Sequence, residues 1–159
     1  MRSFTELAEA HRELNALFRR HQEALVLRET PQALAALHEF RAALGAHMRA
    51  EDEVLLPLYE QVGGSVEGGR PEQFDAEHRK IAADIERIAN TLKILAAQPT
   101  IEPAEVIELL DEEYRFKHLM DHHERREEKF LFPRLDALLS PEARAKAWES
   151  YTMTLCQSQ

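Results

Sequence analysis

The sequence predicts an all-α protein: an antiparallel up-down-up-down four-helix bundle with a short extra helix at its C-terminus. Three observations carry that expectation. Alanine, leucine, glutamate and arginine, all strong helix formers, are abundant, while glycine is limited to five residues. Apolar residues recur at steps of three and four along four long segments. The breaks between these segments are short and punctuated by proline or glycine, which favours antiparallel neighbours.

The first helix is expected to start at Ser3, which with Glu6 forms a capping-box pattern. Its apolar stripe is Leu7, Leu14, Phe18 and Leu25, with His11 in the same row, and it runs to about Glu29. Thr30 then reads as N-cap and Pro31 as first residue of the second helix. That helix carries Leu37, Phe40, Leu44, His47, Glu51, Val54 and Leu58. The run from Gln61 to Arg70, which includes Gly63, Gly64, Gly68 and Gly69, is the longest loop. Pro71 and Glu72 open the third helix, striped by Phe74, His78, Ile81, Ile85, Ile88 and Leu92. A break at Gln98-Pro99-Thr100 follows, with Thr100 as the cap of the fourth helix. The fourth helix holds Ile107, Leu110, Phe116, Leu119, Met120, His123, Glu127 and Phe130. Pro57 and Pro133 lie near the ends of the second and fourth helices, and each is expected to kink or end its helix. Ser140-Pro141-Glu142 starts a fifth helix with Ala145, Trp148 and Tyr151, expected to lie outside the bundle or against a second copy as a homodimer surface. The whole reads as one domain over residues 1–159, with the bundle at about 3–137 and the last helix at about 140–155.

One pattern occurs twice. Phe40, His47, Glu51, Asp52, Leu55, Leu56 and Pro57 are matched, spacing for spacing, by Phe116, His123, Glu127, Glu128, Leu131, Phe132 and Pro133. A weaker pattern precedes each copy, Leu7-His11-Arg12-Leu14-Phe18 being echoed by Phe74-His78-Arg79-Ile81-Ile85. Residues four apart stack on one helix face, so His47 points with Glu51 and His123 with Glu127. Both pairs lie within apolar stripes and therefore face the core, where an ionised group needs a partner. Depth is consistent. From a turn near residue 30, His11 lies about 19 residues back and His47 about 17 forward, a mismatch of roughly 3 Å along the axis. From a turn near residue 100, His78 and His123 differ by only about 1.5 Å. Four imidazoles and two carboxylates at one level suit a pair of first-row metal ions, with His11, His47, Glu51, His78, His123 and Glu127 as the ligands. A carboxylate can span two ions while cancelling charge, and this donor set leaves coordination positions open for a small ligand.

These motifs resemble the hemerythrin-like, HHE cation-binding domains of bacteria, over about residues 3–137. The resemblance implies a non-haem di-iron centre inside a four-helix bundle, with Glu51 and Glu127 bridging and two histidines on each iron. It also implies iron in preference to manganese or zinc, and oxygen, nitric oxide or peroxide as the small-molecule partner. Two departures matter. Oxygen carriers of the family place a second histidine one turn after the one on the third helix, where this chain has Ala82. Their last carboxylate is an aspartate five residues after its histidine, whereas Glu127 follows His123 by four. Both point to the branch with four histidines and two glutamates, whose members resemble repair, sensing and peroxide- or nitric-oxide-handling proteins. Three function classes follow: a protein that binds oxygen or nitric oxide or senses iron, an oxidoreductase that consumes peroxide or nitric oxide, and a metal-free structural bundle. Whether the protein is an enzyme stays open at this stage.

The remaining features exclude more than they assign. A formal charge of −9 argues against nucleic acid and anionic membranes as partners. The single cysteine, Cys156, rules out an internal disulfide and a cysteine-based metal site. The start lacks the apolar run of a signal peptide, and no stretch is apolar enough to span a bilayer, so a cytoplasmic protein is expected. The motifs Glu-x-x-His of ferritin-like proteins and H-E-x-x-H of zincins are missing from the required stripes. His21 is read as a flank residue, and His38, His118 and His122 as surface residues. Asp52 and Glu128 point about 100° away from the ligands before them and read as solvated or salt-bridging. Tyr59 and Tyr114 read as packing residues and Cys156 as a free thiol.

Overall fold

The capping box at Ser3 forms. The Ser3 backbone N–H donates to Glu6 at 3.0 Å, and the Thr5 N–H donates to the Ser3 hydroxyl. The first turn, Phe4–Leu7, is a 3-10 helix, and it feeds α1 (Ala8–Val26). The computed structural model describes residues 2–157, so Met1, Ser158 and Gln159 of the expected domain lie outside the described residues. The chain then forms α2 (Thr30–Ala50), α3 (Leu56–Gln61), α4 (Pro71–Ala96), α5 (Pro103–Arg126), α6 (Phe132–Leu138) and α7 (Pro141–Gln157). Helix α1 packs on α2, α2 on α4, α4 on α5, and α5 returns to α1, which closes the four-helix ring. Among the described residues the only β pairing is an isolated bridge between Val66 and Gly69.

Helix boundaries depart from the sequence reading in two places. Thr30 is already helical and Glu29 precedes it as N-cap, because α1 is stopped by Arg28 in the left-handed region (φ 57°). That stop usually takes glycine, and an arginine in its place carries no local signal for it. Glu102, not Thr100, caps α5; its N–H donates to the Glu105 carboxylate at 2.9 Å, and Pro103 occupies the first helical position.

Neither Pro57 nor Pro133 ends its rod. Each is preceded by one widened π-helical turn, Glu51–Leu55 and Glu127–Leu131, after which the helix resumes as α3 and α6. A proline ring clashes with the carbonyl four residues back. Those carbonyls belong to Glu53 and Lys129, both inside a widened turn, so the π-turn makes room for the ring and the helix passes through. The two copies of the repeat thus encode the same backbone irregularity, and each begins at a glutamate.

The stripes of α1 and α4 are buried as read, from Leu7 to Leu25 and from Phe74 to Leu92. The start of α5 is rotated. Val106, Leu109 and Glu113 are buried, while Ile107 is exposed. A glutamate at an apolar position hid the true phase. It is accommodated because His21 Nε2 meets Glu113 at 2.7 Å, His21 Nδ1 meets the Ala33 carbonyl at 2.9 Å, and Gln22 donates to the other Glu113 oxygen at 2.9 Å. His21 is therefore a fully buried core residue rather than a flank residue.

The core has two apolar clusters. One fills the half of the bundle near the α1–α2 and α4–α5 connections, around Phe18, Phe40, Phe116, Ile85 and Leu92. The other gathers Phe4, Leu7, Leu55, Tyr59, Phe74, Phe132 and Leu135 with Ala147 and Tyr151 of α7. One face of the fifth helix is thus part of the domain's own core, so it docks onto the bundle through Ala147 and Tyr151 rather than standing clear of it. Trp148 stacks on Phe4 at 5.5 Å, Tyr151 is fully buried, and Ala145 is the exposed residue of the three named from sequence.

Candidate metal centre

Between the two clusters lies a polar layer. His11 comes from α1, His47 from α2, His78 from α4 and His123 from α5, while Glu51 and Glu127 open the two π-turns. All six side chains are buried, the glutamates completely. The structure brings all six sequence-predicted ligands together in two overlapping groups. Ligand atoms of His11, His47, Glu51 and Glu127 lie within 4.8 Å of one another, and so do those of Glu51, His78, His123 and Glu127. The two carboxylates belong to both groups. His11 Nε2 is 3.1 Å from Glu127, His47 Nε2 is 3.2 Å from Glu51, and His123 Nε2 is 3.2 Å from Glu127. His78 Nε2 lies 3.5 Å from Glu51 and 3.8 Å from Glu127, between the two acids.

These inward atoms fit a cation better than they fit one another. Both oxygens of Glu51 and of Glu127, with His11 Nε2 and His47 Nε2, are buried without a well-formed hydrogen bond. Buried polar atoms are otherwise paired, and each exception needs an explanation. His78 Nε2 and His123 Nε2 face each other at 3.0 Å. If both carry lone pairs they repel, but two donors on one ion at about 2.0–2.1 Å each reach that separation at roughly a right angle.

Every imidazole is also held from behind through Nδ1. His78 Nδ1 pairs with Asp52 at 2.6 Å, His123 Nδ1 with Glu77 at 3.0 Å, His11 Nδ1 with Glu128 at 3.3 Å, and His47 Nδ1 with the Tyr151 hydroxyl at 2.8 Å. An ionised carboxylate can only accept, so on three of the rings Nδ1 keeps a proton and Nε2 is the atom freed for a metal when the ring is neutral, the arrangement a ligand histidine needs. Asp52 and Glu128 are exposed, and each turns its carboxylate onto one of the four rings from another helix, so both are salt-bridging, one of the two roles expected for them. Their position one residue after a ligand was the available signal. Glu77 and Tyr151 were missed. Glu77 looks in sequence like any surface glutamate, and its role depends on α4 lying beside α5. Tyr59 packs in the core and donates to the Gly69 carbonyl at 2.8 Å, Tyr114 is exposed, and Cys156 is an exposed free thiol. His38, His118 and His122 are exposed, as read.

The electrostatics follow from the two buried acids. Burial works against charge on His11 and His123, but Glu127 beside both raises each to about 9. Burial likewise opposes charge on His78, but Asp52, Glu127 and Glu51 together push it up to about 12. His47 goes the other way, because complete burial outweighs its acids and lowers it. Burial tends to raise Glu127, yet the surrounding histidines, His123 foremost, hold it well below the usual carboxylate range. The metal-free site is thus a compact cluster in which His11, His78 and His123 favour the protonated form beside the carboxylates and His47 the neutral one, and a dication could take the place of those protons.

The chain is similar to the hemerythrin HHE cation-binding domain, whose family profile matches residues 2–112. No curated protein and no solved structure matches the chain. No helix among the described residues is long and apolar enough to cross a membrane.

Proposed function

The chain belongs to the hemerythrin family of HHE cation-binding domains, and on that premise we propose that it holds two iron ions and binds a small ligand such as oxygen, nitric oxide or peroxide there. His11 and His47 serve one position and His78 and His123 the other, with Glu51 and Glu127 shared, in the four-histidine, two-glutamate form of the family. The observation that supports this most is the set of buried carboxylate and imidazole atoms of His11, His47, Glu51 and Glu127 that lack hydrogen bonds and converge from three of the four rods. Iron rather than manganese or zinc is favoured by family membership, since all three accept imidazole and carboxylate donors.

When bound, an iron pair supplies reversible ligand binding or electron transfer. The protein's own residues prepare for it. The glutamates neutralise charge, Asp52, Glu77 and Glu128 orient three of the rings, and the apolar clusters on either side keep bulk water from the layer. The test is anaerobic reconstitution with ferrous iron, followed by metal analysis and optical spectra before and after each ligand. About two irons per chain and a spectrum altered by oxygen or nitric oxide are expected. Iron content and absorption left untouched by Glu51→Ala would falsify the reading.

A second reading, a di-iron oxidoreductase consuming peroxide or nitric oxide, is favoured by one feature. A surface groove lined by Gly45, Met48 and Ala82 together with the charged Arg49, Asp75 and Arg79 reaches His78 and Asp52, and the small Gly45 and Ala82 leave an approach for a substrate. Turnover no faster than that of free iron at equal concentration would remove this alternative.

A further inference from the structure

We infer that the two metal positions are chemically unequal: the one held by His78 and His123 is tight, and the one held by His11 and His47 is weak and exchangeable, with Tyr151 of α7 as its positioning residue. The inference rests on the dinuclear reading above. It concerns what stands behind each imidazole.

A histidine binds metal through Nε2 only when that atom carries a lone pair, so the ring proton must sit on Nδ1 and find an acceptor. A carboxylate behind the ring fixes this tautomer, and its charge makes Nε2 a stronger donor. Both rings of the His78–His123 position have such a partner at short range, Asp52 at 2.6 Å and Glu77 at 3.0 Å. Glu77 is held in place by Arg126 Nε at 3.0 Å, which offsets part of its charge but leaves it an acceptor. The other position is weaker on both rings. His11 meets Glu128 at 3.3 Å, and that carboxylate is half exposed, where water screens it. His47 has no carboxylate behind it, only the Tyr151 phenol at 2.8 Å.

A phenol can reverse its hydrogen bond. When Tyr151 donates its O–H to Nδ1, the His47 proton sits on Nε2, 3.2 Å from Glu51, and that nitrogen cannot take a metal. When Nδ1–H donates to the phenol oxygen instead, Nε2 is open to the ion, but the Tyr151 O–H must turn away from His47. No proton is gained or lost; one moves from Nε2 to Nδ1 of the same ring while the hydroxyl rotates. The phenol is buried, and among the described residues His47 is its only hydrogen-bond partner. Loading this position therefore strands a buried donor, whereas loading the other strands none.

A cobalt(II) titration of the metal-stripped full-length protein, read by ligand-field absorption and calorimetry, tests this. Two steps are expected, the first taking one equivalent with a dissociation constant roughly tenfold or more below the second. His123→Ala should abolish the first step and His47→Ala only the second. Glu77→Gln, whose amide can reverse as a phenol does, should weaken the first step about tenfold and draw the two together. Tyr151→Phe should shift the second constant about tenfold and leave the first in place; a merely loosened fold would move both. Two equal steps, the opposite assignment by the histidine variants, or a Tyr151→Phe effect on the first step or on neither overturns the inference while the dinuclear reading stands. Fewer than two cobalt ions per chain overturns that reading and the inference with it.

Discussion

At Glu127 the chain places a carboxylate in complete burial, 3.1 Å from one ring and 3.2 Å from another, with neither oxygen in a well-formed hydrogen bond. Three residues earlier Glu124 is also buried, but its carboxylate accepts two hydrogen bonds from Asn15 at 3.0 and 3.2 Å. The comparison separates a proposed ligand from a buried acid that already has its partner. Glu127→Gln should reduce bound metal from about two ions to below one per chain, while Glu124→Gln should retain about two, as measured by metal analysis after reconstitution. Equal losses in both variants would mean that buried negative charge in general, and not this pair of oxygens, holds the metal. His47 and Glu51 were legible in the sequence because spacing by four on an apolar stripe is a local property. Glu77 was not, because what distinguishes it is a ring from a different helix.

The helices carry features that a periodicity pattern only half reveals. Pro57 and Pro133 signalled a disturbance but not its form, since a helix can end at a proline or widen before it. Here it widens, and the two glutamates sit at the start of the widened turns. The glycines show a similar split. Gly45 lies inside α2 with nothing within 4 Å of the place a Cβ would occupy. Gly45→Ala should therefore stabilise the fold by about 0.5–1 kcal/mol, because glycine in a helix loses more backbone freedom on folding than alanine does. Gly64, in the loop after α3, is pressed against the Tyr59 ring, and an added Cβ would come within 2.7 Å of the Tyr59 backbone oxygen. Gly64→Ala should cost about 1–3 kcal/mol through overpacking. Chemical denaturation of both variants decides the matter, and shifts of the same sign would contradict the packing argument.

On the scale of the whole molecule, the polar layer ties four helices together at the boundary between two apolar clusters, so metal and fold should be linked. In the metal-free protein, His11 and His123 are raised to about 9, above the ordinary histidine value near 6.5. Their contribution to stability is complete below about pH 6.5 and is lost as pH rises through about 9. Glu127 is lowered, so its contribution is present above about pH 4.5 and is lost as pH falls through its depressed value. His11, His123 and Glu127 together should thus favour the metal-free fold most between about pH 4.5 and 6.5, with His47, lowered by burial, working against it at the acid end of that range. Metal binding must displace protons from the same rings, so the loaded protein should gain stability over that alkaline range. Melting temperatures of both forms from pH 5 to about 9 should diverge as pH rises; parallel curves would show that the layer's rings do not exchange protons for metal. By itself the sequence determined the all-helical class, the four stripes and the six residues at matched depth, because helix periodicity and spacing along one chain are enough to place side chains on a face. Only the tertiary structure decided which groups stand behind the rings, how α5 is rotated to bury Glu113 against His21, and that α7 closes on the core through Tyr151. Those contacts join residues far apart in the chain, and single-chain patterns hold no information on which distant surface a given face will meet.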